Sequence, residues 1–162
     1  MIRLTIVAAV LALGLSGCNR NTAIGNDREA QVDPMPTAAP VEPAAAALAN
    51  VASEIIKPET MSNADVRKIG GREGKCVFTF TEVAYPAFIY QPGRRGVIKL
   101  NSKLVPLSAA GENRYESGGL LIVTQEVDAT GDAGRQALDL IVVPPGARDE
   151  IGYRGYVACT KP

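Results

Sequence analysis

Few side chains in this 162-residue chain could make or break a bond. It has no histidine, which removes the commonest general base near neutral pH and the commonest metal ligand. Ser108 and Ser117 therefore have no partner of the usual kind to activate them as nucleophiles. Carboxylates could still do acid–base work, but no spacing singles out a pair. Glu126, Asp128 and Asp132 gather near Gly131. Their spacing does not fit an EF-hand loop, so solvated acids are the expectation. Arg94-Arg95 sits in a glycine-flanked turn. It is read as two solvated charges rather than as a site for an anionic polymer or head group. The formal net charge is zero and there is no basic block, so no nucleic-acid partner is expected. A chain of this kind is expected to be non-enzymatic, without cofactor or metal.

The N-terminus says more about place than about chemistry. Arg3 is followed by an uncharged apolar run from Leu4 to Leu15 and by the small residues Ser16 and Gly17. Charge, apolar run and small-residue cut site are the parts of a secretory signal. The run is short of the roughly 18 to 20 residues that span a bilayer. Leu15-Ser16-Gly17-Cys18 resembles the lipobox of bacterial lipoproteins. That resemblance implies removal of residues 1–17 and an acyl anchor on Cys18, with Asn19 in place of an aspartate favouring the outer membrane and a periplasm-facing domain. Two or more acyl chains make a stable anchor where one is marginal. Once Cys18 carries lipid, Cys76 and Cys159 are an even pair in an oxidising compartment, and a disulfide is expected. Two cysteines without histidine cannot build an ordinary four-ligand zinc site. For so long a loop the bond would contribute about 4 to 5 kcal/mol as an upper figure.

The elements follow in order. Residues 18–46 read as lipidated cysteine and disordered tether, with Pro34, Pro36, Pro40 and Pro43 favouring extended chain. Residues 47–72 read as short helical segments. Leu48, Val51 and Ile55 share a helical face before Pro58, and Ser62 with Asp65 makes a helix start that Gly70-Gly71 closes. From residue 73 to 162 the period is two. Cys76, Phe78 and Phe80 alternate with Val77, Thr79 and Thr81. Further strands are expected at 87–90, 97–100, 104–107, 120–127, 137–143 and 151–159, with 128–134 as a loop. The turn between residues 100 and 104 is open between two-residue and three-residue forms. Phe78, Phe80, Tyr85, Phe88 and Tyr90 are expected to fill a core rather than to line a ligand mouth. The fold class is all-β: a small antiparallel barrel or sandwich of about seven to eight strands closed by one disulfide. Closure would make the first and last strands neighbours and remove exposed edges.

Several stretches together resemble the membrane-bound inhibitors of c-type lysozyme, small eight-stranded periplasmic lipoproteins. They are Cys76 and Cys159, Val97-Ile98-Lys99-Leu100-Asn101-Ser102-Lys103, the loop from Ser108 to Gly118, and Tyr153-Arg154-Gly155. In that family a loop serine and a lysine after the next strand reach the lysozyme carboxylates. The resemblance implies partner contacts from Ser108, Arg114, Tyr115 and Ser117. This chain has Thr124-Gln125-Glu126 where the family is basic, leaving Arg114 as the loop cation. The expectation is a protein-binding module for c-type lysozyme or another envelope protein. The alternative is a structural or assembly lipoprotein with no enzyme target. An apolar-ligand carrier is the weakest reading, because small barrels fill their interiors with side chains.

Overall fold

The computed structural model describes residues 36–161. The expected signal segment, Cys18 and the tether up to residue 35 lie outside the described residues. Eight strands form a closed antiparallel barrel in sequence order. They are β1 (Cys76–Thr79), β2 (Phe88–Gln91), β3 (Arg95–Leu100), β4 (Lys103–Gly111), β5 (Arg114–Ser117), β6 (Leu120–Thr130), β7 (Gln136–Val143) and β8 (Ile151–Cys159). The ring closes where β1 pairs with β8. Cys76 and Cys159 are direct cross-strand partners at that seam and are disulfide-bonded, as the sequence led one to expect.

The open turn question resolves to two residues. Leu100 pairs with Lys103, and Asn101 and Ser102 lie at φ 46° and 58°. Both central residues are left-handed, as a tight hairpin between right-twisted strands requires. The expected loop at 108–118 is itself a hairpin. β4 continues to Gly111, turns through Glu112-Asn113 and returns as β5. Its Ser-Ala-Ala-Gly run has little strand preference of its own, so neighbouring strands impose the conformation. β6 likewise runs on to Thr130, with a register slip after Glu126.

Alternate residues of these strands point inward and fill the barrel. Phe78, Phe88, Ile98, Leu100, Val105, Tyr115, Leu120, Ile122, Leu140 and Val142 are each withdrawn from water. Phe88 stacks on Tyr90 at 5.0 Å, and Tyr115 meets both rings edge-on at 5.4 and 5.5 Å. Tyr85, expected in the core, is instead 55 % exposed on the β1–β2 connection. Gly155 marks the tightest wall contact: a Cβ there would sit 2.6 Å from the Phe78 ring and against the Thr79 carbonyl.

The segment before the barrel is part of the domain. Helix α1 is only Ala44–Ala47, followed by a 3-10 turn at Ser53–Ile55. The helical face expected over Leu48, Val51 and Ile55 is broken where Asn50 adopts φ 61°. Packing explains the break: Ala44, Ala47, Leu48 and Ile56 enter the barrel's core cluster, while Ile55 stays 69 % exposed. The β3–β4 hairpin reaches past its neighbours, and the leading segment closes both of its free edges. Val41 bridges Leu104, with Glu42 N donating to Leu104 O and Leu104 N to Pro40 O; Pro58 bridges Leu100, with Glu59 N donating to Lys99 O. Residues 40–46, expected in the tether, are thus bound to the barrel.

Helix α2 (Asn63–Lys68) lies outside the wall. A second apolar cluster joins Met61 and Val66 to Val77, Ile89 and Leu104, which is why β1 and most of β2 are buried on both faces. Ser62 and Asp65 form the capping box read from the sequence. Asp65 also takes the Lys99 ammonium at 2.9 Å and the Ala39 N–H at 2.7 Å. Burial alone would raise its pKa; Lys99 and the Ala39 and Ser62 N–H groups outweigh that and hold it at about 2, against 3.8 ordinarily. A carboxyl whose folded pKa is depressed stabilises above its unfolded value and loses that stability as pH falls towards the folded one. We expect the domain to lose about 2 kcal/mol between pH 5 and pH 2 from this group. Asp65→Asn should flatten that part of the profile in urea titrations; an unchanged profile would refute the assignment.

Candidate functional site

The four residues that the lysozyme-inhibitor resemblance singled out do not converge. Tyr115 faces into the barrel and is fully buried, so it cannot touch a partner; its role is packing. Ser117 points the same way, half-buried, and its hydroxyl accepts the Ala44 N–H at 3.4 Å, which seats α1 on the barrel. Ser108 and Arg114 face outward and are exposed. The reason is the period of two, since residues 115 and 117 share one face and 114 and 116 the other.

The outward set has neighbours that the sequence did not join. Ser108 lies between Arg95 on β3 and Glu116 on β5 in the register. The β2–β3 turn is tied to β4 by Ala109 N donating to Arg94 O at 2.9 Å. Arg94 and Arg95, separately read as two solvated turn charges, therefore stand beside the β4–β5 hairpin that carries Arg114. Both arginines are exposed, and Arg95 Nε donates to Gln91 Oε1 at 3.1 Å.

Below this rim, on the outer wall, lies a groove of about 470 Å³ between the end of α2 and strands β2 to β4. Lys68, Lys75 and Arg95 contribute to its lining, with Ile89, Val97 and Pro106 among its apolar walls. Lys75 caps α2: its ammonium donates to the carbonyls of Ile69, Gly70 and Gly71 at 3.0, 3.0 and 2.8 Å. Burial, and then the like charge of Arg95, push its pKa down. The sequence hides this grouping because Lys68 ends α2, Lys75 lies in the connection to β1 and Arg95 starts β3.

Three phenols are shifted away from neutral pH. Burial first, then Tyr115 and Glu126, push Tyr90 up to about 12 despite a hydrogen bond with Thr124. Burial also raises Tyr115 and Tyr153. Arg154 and Asp139 are cross-strand partners joined by a two-point ion pair on the outer wall, which holds the carboxyl of Asp139 below its usual range. Glu126, Asp128 and Asp132 are all exposed, and no group of three metal-binding side chains gathers among the described residues. No helix among the described residues is long and apolar enough to cross a membrane.

No curated protein and no solved structure matches the chain. A family model matches residues 14–162, nearly its whole length, and the chain belongs to that family, the domain of unknown function DUF6692.

Proposed function

We propose that this is a non-enzymatic module, lipid-anchored at Cys18 in the outer membrane and facing the periplasm, that binds another protein through the rim of its barrel. The first partner to test is c-type lysozyme. The observation that carries the reading is the pairing of an eight-stranded, disulfide-closed barrel with exposed Arg114, Arg94 and Arg95 on two adjacent hairpins. Plugging a cleft needs complementary shape and charge, and guanidinium groups pair well with carboxylates. With Tyr115 buried and Ser117 held by Ala44, the contact comes from hairpin tips rather than from an extended loop. Exposed Val83 and Tyr85, at 93 % and 55 %, favour a second reading as an assembly lipoprotein that meets another envelope protein at the β1–β2 connection.

The test is inhibition of c-type lysozyme by residues 36–162 with the disulfide formed. Arg114→Ala should weaken inhibition about ten-fold, the usual order for one lost charge-assisted contact. No inhibition at high micromolar protein would remove lysozyme as the target. Crosslinking from positions 83 and 85 would then test the second reading.

A further inference from the structure

The outer groove joins two chemistries that rarely share a surface without a ligand. One side is cationic: Lys68 at the end of α2, Lys75 behind it, and Arg95 on β3. The other is apolar: Val97 is half-exposed and Pro106 exposed on strands whose other faces close the core, and Ile89 lies beneath. No carboxylate lines this groove. Glu116 beyond Ser108, Glu73 beside Arg94 and Glu42 next to Val41, the last paired with Lys103, lie outside it. A helix C-terminus normally repels anions. Here Lys75 spends its three donors on the terminal carbonyls of the α2 segment, offsetting that repulsion. Lys68 and Arg95 keep free donors, and neither enters an ion pair among the described residues. The volume, about 470 Å³, falls in the range of small-molecule sites.

We propose that this groove binds a single-chain anionic amphiphile. A phosphate or carboxylate head would sit between Lys68 and Arg95, and an alkyl chain would lie along Ile89, Val97 and Pro106. The charge complement fixes the sign of the head group, and the apolar floor is what distinguishes the ligand from a free anion. A bound head group would also relieve the repulsion that Arg95 exerts on Lys75. This site shares Arg95 with the rim contact proposed for a protein partner, but Lys68 and the apolar floor of Ile89, Val97 and Pro106 take no part in that contact.

The experiment uses residues 36–162, which form one compact unit with its own core and disulfide. Dodecyl phosphate, kept below its critical micelle concentration, is titrated while amide shifts are followed by NMR. Saturable shifts are expected at Lys68, Gln91, Arg95 and Ser108. A Lys68→Gln/Arg95→Gln variant, both exposed positions, should weaken binding by about ten-fold or more. Pro106→Asp leaves the cations in place and should weaken it as well, by putting a charge on the apolar floor. Inorganic phosphate should bind at least about ten-fold more weakly than dodecyl phosphate, since it gains nothing from the floor. Equal binding of the two, or unchanged binding in both variants, would overturn the proposal. So would adsorption to vesicles of anionic phospholipid with no saturable binding of the monomer, which would mean that the charge meets a membrane surface and the groove holds no ligand.

Discussion

Residues 61–162 produced without residues 36–60 are expected to fold poorly or not at all, although every strand of the barrel is present in them. The missing segment supplies Ala44, Ala47, Leu48 and Ile56 to the main core. It also supplies the partners of Leu104, Lys99 and Leu100 on the two free edges of the β3–β4 hairpin. Leu48 and Ile56 alone contribute about 1.5 to 3 kcal/mol each by burial. Adding the alanines, the exposed hairpin edges and the loss of Asn101 Nδ2 donating to Ala47 O brings the cost to about 5 kcal/mol or more, comparable to the whole stability of many domains. Urea unfolding followed by far-UV circular dichroism should show no cooperative transition, or one at a much lower midpoint than that of residues 36–162. Equal midpoints would mean that the segment merely lies on the barrel.

Tyr115 gives the second large effect. Its ring is fully buried among Phe88 and Tyr90, while its hydroxyl lies toward the backbone of Gly93 without a well-formed hydrogen bond. Tyr115→Ala should cost about 3 to 5 kcal/mol, the range for emptying an aromatic site in a packed core. Tyr115→Phe keeps the ring and removes only a poorly satisfied buried hydroxyl, so it should be close to neutral or slightly stabilising. A residue that contacts a partner would behave differently: both changes would weaken binding and leave the unfolding midpoint almost unchanged. Denaturation midpoints of the two variants, measured together, decide between packing and recognition.

These two cases mark what could be read from the residues. The alternation from Cys76 onward, the breaks at Pro92-Gly93 and Pro144-Pro145-Gly146, and the paired cysteines carry the barrel and its closure in plain view, because each is a local signal or follows from one. The capping box at Ser62 and Asp65 is legible for the same reason. The Lys99 partner of Asp65 is not, since 34 residues separate them and only the register of β3 brings the ammonium there. The hairpin at 108–118 is not legible because alanine and glycine carry no strand signal, and the inward turn of Tyr115 is hidden with it. Residues 36–46 read as tether on their prolines, yet Pro40 suits an extended edge partner equally well, since it offers only a carbonyl, which Leu104 N takes. Pro58, read as the stop of a helical face, needs no donor where it meets Leu100. The cationic groove exists only once α2, its connection to β1 and strand β3 are placed together.

The seam disulfide has a mechanical consequence. Cys76 and Cys159 are 83 positions apart in sequence and neighbours in space, so all eight strands lie inside one covalent ring. A load carried by the chain before residue 36 enters through Val41 and Pro58, the two clips on the β3–β4 hairpin. Those clips, and the Asp65–Lys99 pair behind them, lie outside the ring and yield first. Once they have peeled away, tension passes to Cys76 and across the sulfur bridge, so the chain within the ring gives no further length. The domain is thus divided into an extensible lead and an inextensible body, with the boundary set at one cysteine.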